Sequence, residues 1–132
     1  MKIFDENKRL LGIYISGKKI KKGKQFITNN SSEFQVGKFN LAKGDKILNH
    51  FHSTQLREVK NTSEAIFVVE GKIKVNFFSQ NKKFVKNVIV ASGDTIVLLD
   101  GGHGIEILES SKFIEIKQGP YVEAIDKTVF DD

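Results

Sequence analysis

The chain offers three imidazoles, His50, His52 and His103, and no cysteine in 132 residues. Disulfides, thiolate metal sites, iron–sulfur clusters and cysteine nucleophiles are therefore excluded. His50 and His52 flank Phe51. On a β-strand, side chains two positions apart point to the same face. Such a pair is a bidentate start for a divalent metal ion, and it directs Phe51 the other way, toward outer packing of the sheet. Nearby stand Arg57, one of two arginines, and Glu58. A guanidinium there suits a carboxylate or phosphate, and Glu58 is a candidate base or carboxylate ligand. Later in the chain Glu115 and Lys117 alternate. If their strand lines an interior, Lys117 is an anion contact or a proton carrier. Tyr121, after Gly119 and Pro120, has a hydroxyl that could reach a ligand.

The elements that must position these groups read as β-strands. Ile73, Val75 and Phe77 alternate with Lys72, Lys74 and Asn76. Short apolar runs cover residues 65–69, 88–90, 95–99, 105–107 and 113–116, rich in β-branched and aromatic side chains. Gly, Asn, Ser and Asp separate them, as in Ser92-Gly93-Asp94 and Asp100-Gly101-Gly102. Many short strands with turn signals between them predict an all-β sandwich or barrel. Any helix is a minor element. The tail from Lys127 reads as a closing strand or a frayed end. No repeat or linker divides residues 1–132, so one domain is expected.

The net charge of +5 does not point to nucleic acid. Residues 1–48 hold eleven Lys and Arg against four Asp and Glu, and residues 49–132 hold ten against twelve. The excess sits in the first third, including the basic 18–24 stretch, which reads as an exposed turn. Lysine outnumbers arginine nineteen to two, whereas bidentate base and phosphate contacts favour arginine. No apolar run reaches the ~20 residues that span a bilayer. The first nine residues carry Asp5 and Glu6, unlike a secretory signal. A cytoplasmic protein without nucleic-acid or membrane partners is the expectation.

Spacing adds a resemblance. Gly44, His50 and His52 make Gly-x5-His-x-His, and Glu64 with Gly71 makes Glu-x6-Gly. Gly93-Asp94 precedes an apolar strand, then Asp100-Gly-Gly and His103. From about 44 to 104 the sequence resembles the two motifs of the cupin superfamily. Eleven residues separate His52 from Glu64, where the family has three or four; Glu58, after five, competes for the carboxylate role. The distance to Gly71 and the apolar run 65–69 favour Glu64, with 53–63 as a loop at the barrel mouth. Leu99 stands where the family has proline, His103 arrives one residue early, and Ile107 takes the place of its asparagine. The stretches Gly-Gly-His-Gly at 101–104 and Lys-Gln-Gly-Pro-Tyr at 117–121 are similar to a group of small bacterial cupins found with surface-polysaccharide and sugar-nucleotide genes.

The resemblance implies a jelly-roll β-barrel, a double-stranded β-helix, with His50, His52, Glu64 and His103 around one divalent ion (Fe, Mn, Ni, Zn or Co). It implies a homodimer and a small polar substrate, a sugar or nucleotide sugar in surface-glycan biosynthesis. The expected chemistry is isomerisation or epimerisation, with Arg57 or Lys117 steering an anionic substrate and Glu58 as base. The alternatives are an Fe(II)-dependent dioxygenase on the same ligands and a non-catalytic sugar- or partner-binding module.

Overall fold

A computed structural model describes residues 1–131. Its strands are β1 (Lys2–Phe4), β2 (Leu10–Ile15), β3 (Gly23–Phe26), β4 (Gly37–Asn40), β5 (Glu64–Phe78), β6 (Phe84–Ala91), β7 (Thr95–Leu98) and β8 (Gly102–Lys117). A 3₁₀ turn, Gly17–Lys19, and a four-residue helix α1, Glu123–Asp126, complete the elements. The all-β expectation is met. Among the described residues no helix is long and apolar enough to cross a membrane.

Two long strands organise the sheet. β5 and β8 run antiparallel along their whole length, from Glu64 opposite Lys117 to Phe78 opposite Gly102. The first part of β5 also pairs with β7, and its second part with β6. β7 continues to β2 and β1. Phe77 lies thirteen positions after Glu64, about 43 Å in a straight strand. Yet His103, opposite Phe77, approaches Glu64 to 3.5 Å. The ribbon is therefore bent back on itself.

The bend lies where the register slips between Val68 and Ile73. Gly71 sits there at φ +92°, and a Cβ on it would run into the Ser110 carbonyl and Ser111. The Lys72 amide donates to the Ser111 hydroxyl at 3.0 Å, which in turn donates to the Glu109 carbonyl at 2.7 Å. Bulges sharpen strand twist and bend in this way. The sequence reading ended a strand at Gly71; the chain instead passes through it within one strand. Gly71→Ala combines a left-handed backbone with a clash. It is expected to cost about 2–4 kcal/mol, read as a lowered Tm in a thermal melt.

The two halves of the bent ribbon enclose the core. Ile66 and Val68 face inward from one half, Ile73, Val75 and Phe77 from the other, with Val88, Val90, Ile96 and Leu98 between. Gly12 admits the Phe77 ring, which a Cβ would strike. On the outside of the β2–β7 region, Val36 packs with Ile13 and Val97 and carries the small β3–β4 sheet. Asp94 fastens the β6–β7 turn: it accepts from the Tyr14 hydroxyl at 2.8 Å and the Gly17 amide at 3.1 Å.

The closed barrel is a correction. Among the described residues β8 pairs with β5 alone, so its second edge carries no strand along its sixteen residues. Residues 41–63, which include the first histidine pair, form no strand. A strand exists only where a neighbour takes its backbone hydrogen bonds, and no neighbour is present along this segment. Phe51, expected against the sheet, is 89% exposed. The 3₁₀ turn does place the basic 18–19 residues at the surface. The tail from Lys127 to Asp131 is not a closing strand, and Asp132 lies outside the described residues.

Candidate functional site

The bend in the β5–β8 ribbon brings together side chains that are distant in sequence. Glu64, Ile66 and Val68 share the inner face with their partners Lys117, Glu115 and Phe113. At the other end, Phe77 shares that face with its partner His103. Folding one half over the other sets the His103 imidazole Nε2 3.5 Å from the Glu64 Oε2. The Glu64 side chain is 14% exposed and that of His103 33%. Lys117 reaches away to Asp126 in α1, Nζ to Oδ2 3.1 Å, and its ammonium lies 5.1 Å from the Tyr121 ring centre. These groups line one cavity of about 700 Å³, whose far wall comes from the tail through Phe130.

The electrostatics push two neighbouring carboxyls apart. Contact with His103 lowers the Glu64 pKa below the ordinary carboxylate value, against the opposing pull of burial. Glu115 moves the other way. Its hydrogen bond to Glu64 raises its pKa, and desolvation adds to this. Of the two, Glu115 therefore holds a proton to higher pH than Glu64 does. Lys117 is raised, first by its bond to Asp126, and stays a cation. Carboxyls driven in opposite directions are the arrangement that divides acid from base.

A pH-dependent outcome follows for Glu115→Gln. Folding favours protonated Glu115, a contribution complete below the ordinary glutamate range and lost as pH rises through the raised value. Glu64 has the opposite sign: its contribution is lost as pH falls, and the two titrate as a pair. Glutamine keeps a neutral donor toward Glu64 at every pH. The Tm of Glu115→Gln minus that of the wild type is therefore expected to become more positive from pH 4 to pH 8. A flat or reversed trend would contradict the shared proton.

Compared with protein-family models, curated proteins and solved structures, the chain gave no match. What the site does is therefore read from its own residues.

Of the residues singled out in the sequence, Glu64, His103 and Lys117 come together. His50 and His52 do not line this cavity. Their rings meet edge to face at 5.2 Å on an exposed segment outside any strand, a correction to the strand expected there. Arg57 and Glu58 do not line this cavity either. They line a separate depression of about 610 Å³ with Glu33 and Gln35 from the β3–β4 connection. Glu33 anchors that loop, accepting from the Lys60 and Asn61 amides at 3.1 and 3.2 Å. Sequence reasoning noted Glu115 beside Lys117 without giving it a proton. It missed Asp126, for which the sequence carries no signal.

Glu64 and His103 meet, but the other two imidazoles are not with them. Among the described residues no three His, Asp or Glu side chains converge around an ion position.

Proposed function

We propose that this protein is a cupin-like enzyme that moves a proton on a small polar substrate, a sugar or nucleotide sugar, in an isomerisation or epimerisation. The observation that carries this reading is the 3.5 Å contact of His103 with Glu64 at one end of a cavity that Glu115 and Lys117 also line, with the pKa of Glu64 lowered and that of Glu115 raised. Proton transfer next to a carbonyl needs a base and an acid within reach of one substrate. Glu64 supplies the base, held by His103. Glu115 supplies the proton that returns. Lys117 steers the anionic group of the substrate into place. The test is proton NMR of keto-sugar nucleotides in deuterated buffer. Enzyme-dependent loss of the signal next to the carbonyl supports the reading; no loss across a panel overturns it.

The reading includes a homodimer in which residues 41–63 of a second copy cover the free edge of β8. Ile105, Ile107 and Phe113 point inward beside that edge yet are exposed. A long apolar edge strand left open invites another strand. In the chain itself, residues 41–59 form no strand on that edge, and Leu48 and Phe51 are 82% and 89% exposed. Apolar side chains on an unpaired segment and an apolar face on an unpaired strand complement one another.

A metal-binding reading has its own support in the histidine pair. His50 Nδ1 donates to the Leu48 carbonyl at 2.8 Å, which fixes the tautomer and leaves Nε2 as the lone-pair nitrogen. Metal-bound imidazoles are oriented in this way. Stoichiometric zinc or nickel binding that disappears in the His50→Ala, His52→Ala variant is the expected result, and metal uptake unchanged by those substitutions would remove this reading.

A further inference from the structure

Residues 126–130 of the tail form one wall of the cavity, and two contacts hold them there. Asp126 pairs with Lys117, their side chains 11% and 25% exposed. Phe130 seats its ring edge-on against Phe78 at 5.2 Å, over Gly102, where a Cβ would strike it. Between and around these points the segment is barely attached. Ile125 and Val129 are exposed, and α1 is a single turn with no buried residue. A segment with so few buried contacts opens at low cost.

The first contact is the informative one. Lys117 is the cation of the inner face, and the oxygen nearest its ammonium belongs to a carboxylate from the chain's own tail. A carboxylate oxygen 3.1 Å from an ammonium stands where a ligand's anionic oxygen would sit. We infer that the tail is a displaceable strap whose Asp126 occupies an anion subsite on Lys117, and that a phosphate group of the ligand takes its place. A phosphate carries more charge and more acceptor oxygens than one carboxylate, so it can win this exchange. Lys127 and Lys60, also at the cavity wall, add to its attraction. The strap then swings on the chain after Pro120, with Phe130 as its latch.

This rests on the proposed use of the cavity, but its test reads binding and not turnover. The full chain is titrated with inorganic pyrophosphate by calorimetry, with citrate as the carboxylate comparison. Removing the competing charge in Asp126→Asn is expected to tighten pyrophosphate binding about two- to fivefold, the scale of a partly exposed ion pair. Phe130→Ala, which releases the latch without touching any charge, is expected to tighten it two- to fivefold. Lys117→Gln abolishes binding in either background. Citrate binding more tightly than pyrophosphate would overturn the choice of phosphate. Unchanged or weaker pyrophosphate binding in both Asp126→Asn and Phe130→Ala, or full binding in Lys117→Gln, would overturn the strap. Pyrophosphate binding that behaves as expected without any proton exchange on keto sugars would keep the strap and discard the catalytic reading.

Discussion

Glu64→Gln is expected to reduce deuterium exchange into a keto-sugar nucleotide by about 10²–10⁴-fold, the usual contribution of a positioned general base. The substitution preserves size, and Glu64 is inside the fold without being a core residue. Its Tm should fall only by the lost carboxylate contact with His103 and the protein should still melt as a folded chain, which separates lost chemistry from lost structure. His103→Gln is expected to fall in the same range, because its removal frees Glu64 from the contact that lowers its pKa. Activity in His103→Gln should also shift to a higher pH: the released Glu64 needs a higher pH to be ionised. A merely structural histidine would lower the rate at all pH values alike. Rates within threefold of the wild type in both variants would show that the proton moves elsewhere.

The second large effect concerns assembly. Ile105→Lys with Ile107→Lys is expected to convert a dimer of the 14.9 kDa chain into a monomer, weakening association at least 100-fold. In the single chain these side chains lie at the open edge, Ile105 37% and Ile107 55% exposed, where a lysine ammonium can reach water. Under a second copy, two unpaired ammonium groups would be buried, which is strongly unfavourable. Analytical ultracentrifugation distinguishes the two masses. A wild-type chain that sediments as a monomer at 100 µM, an order-of-magnitude concentration for a weak pair, would refute the covered edge.

The parts of this fold legible in the sequence are those set by local alternation. Ile73, Val75 and Phe77 announced one inward face, and the β-branched runs at 88–90 and 95–98 announced β6 and β7. Glu115 and Lys117, two apart, shared a face as expected. The bend was not legible. Gly71 reads as a turn, and only its tertiary neighbours, Ser110 and Ser111, make it a bulge inside a continuous strand. That bend decides the site, because it brings His103 to Glu64. The pairing of Lys117 with Asp126 depends on how the tail returns across the cavity, which no local pattern encodes. The histidine pair shows the converse. Its spacing suits a strand, but spacing alone provides no partner strand, and residues 41–63 stay unpaired in the single chain.

Three histidines give three imidazole signals, so ¹⁵N-edited NMR of the ring nitrogens reports on the site with little overlap. Nucleotide sugars titrated into the protein are expected to shift the His103 signal saturably, and Glu64→Gln should change that signal in the free protein. A His103 signal that stays fixed for every nucleotide sugar tested, while the protein binds the ligand, would place the ligand outside this cavity and contradict the proposed site.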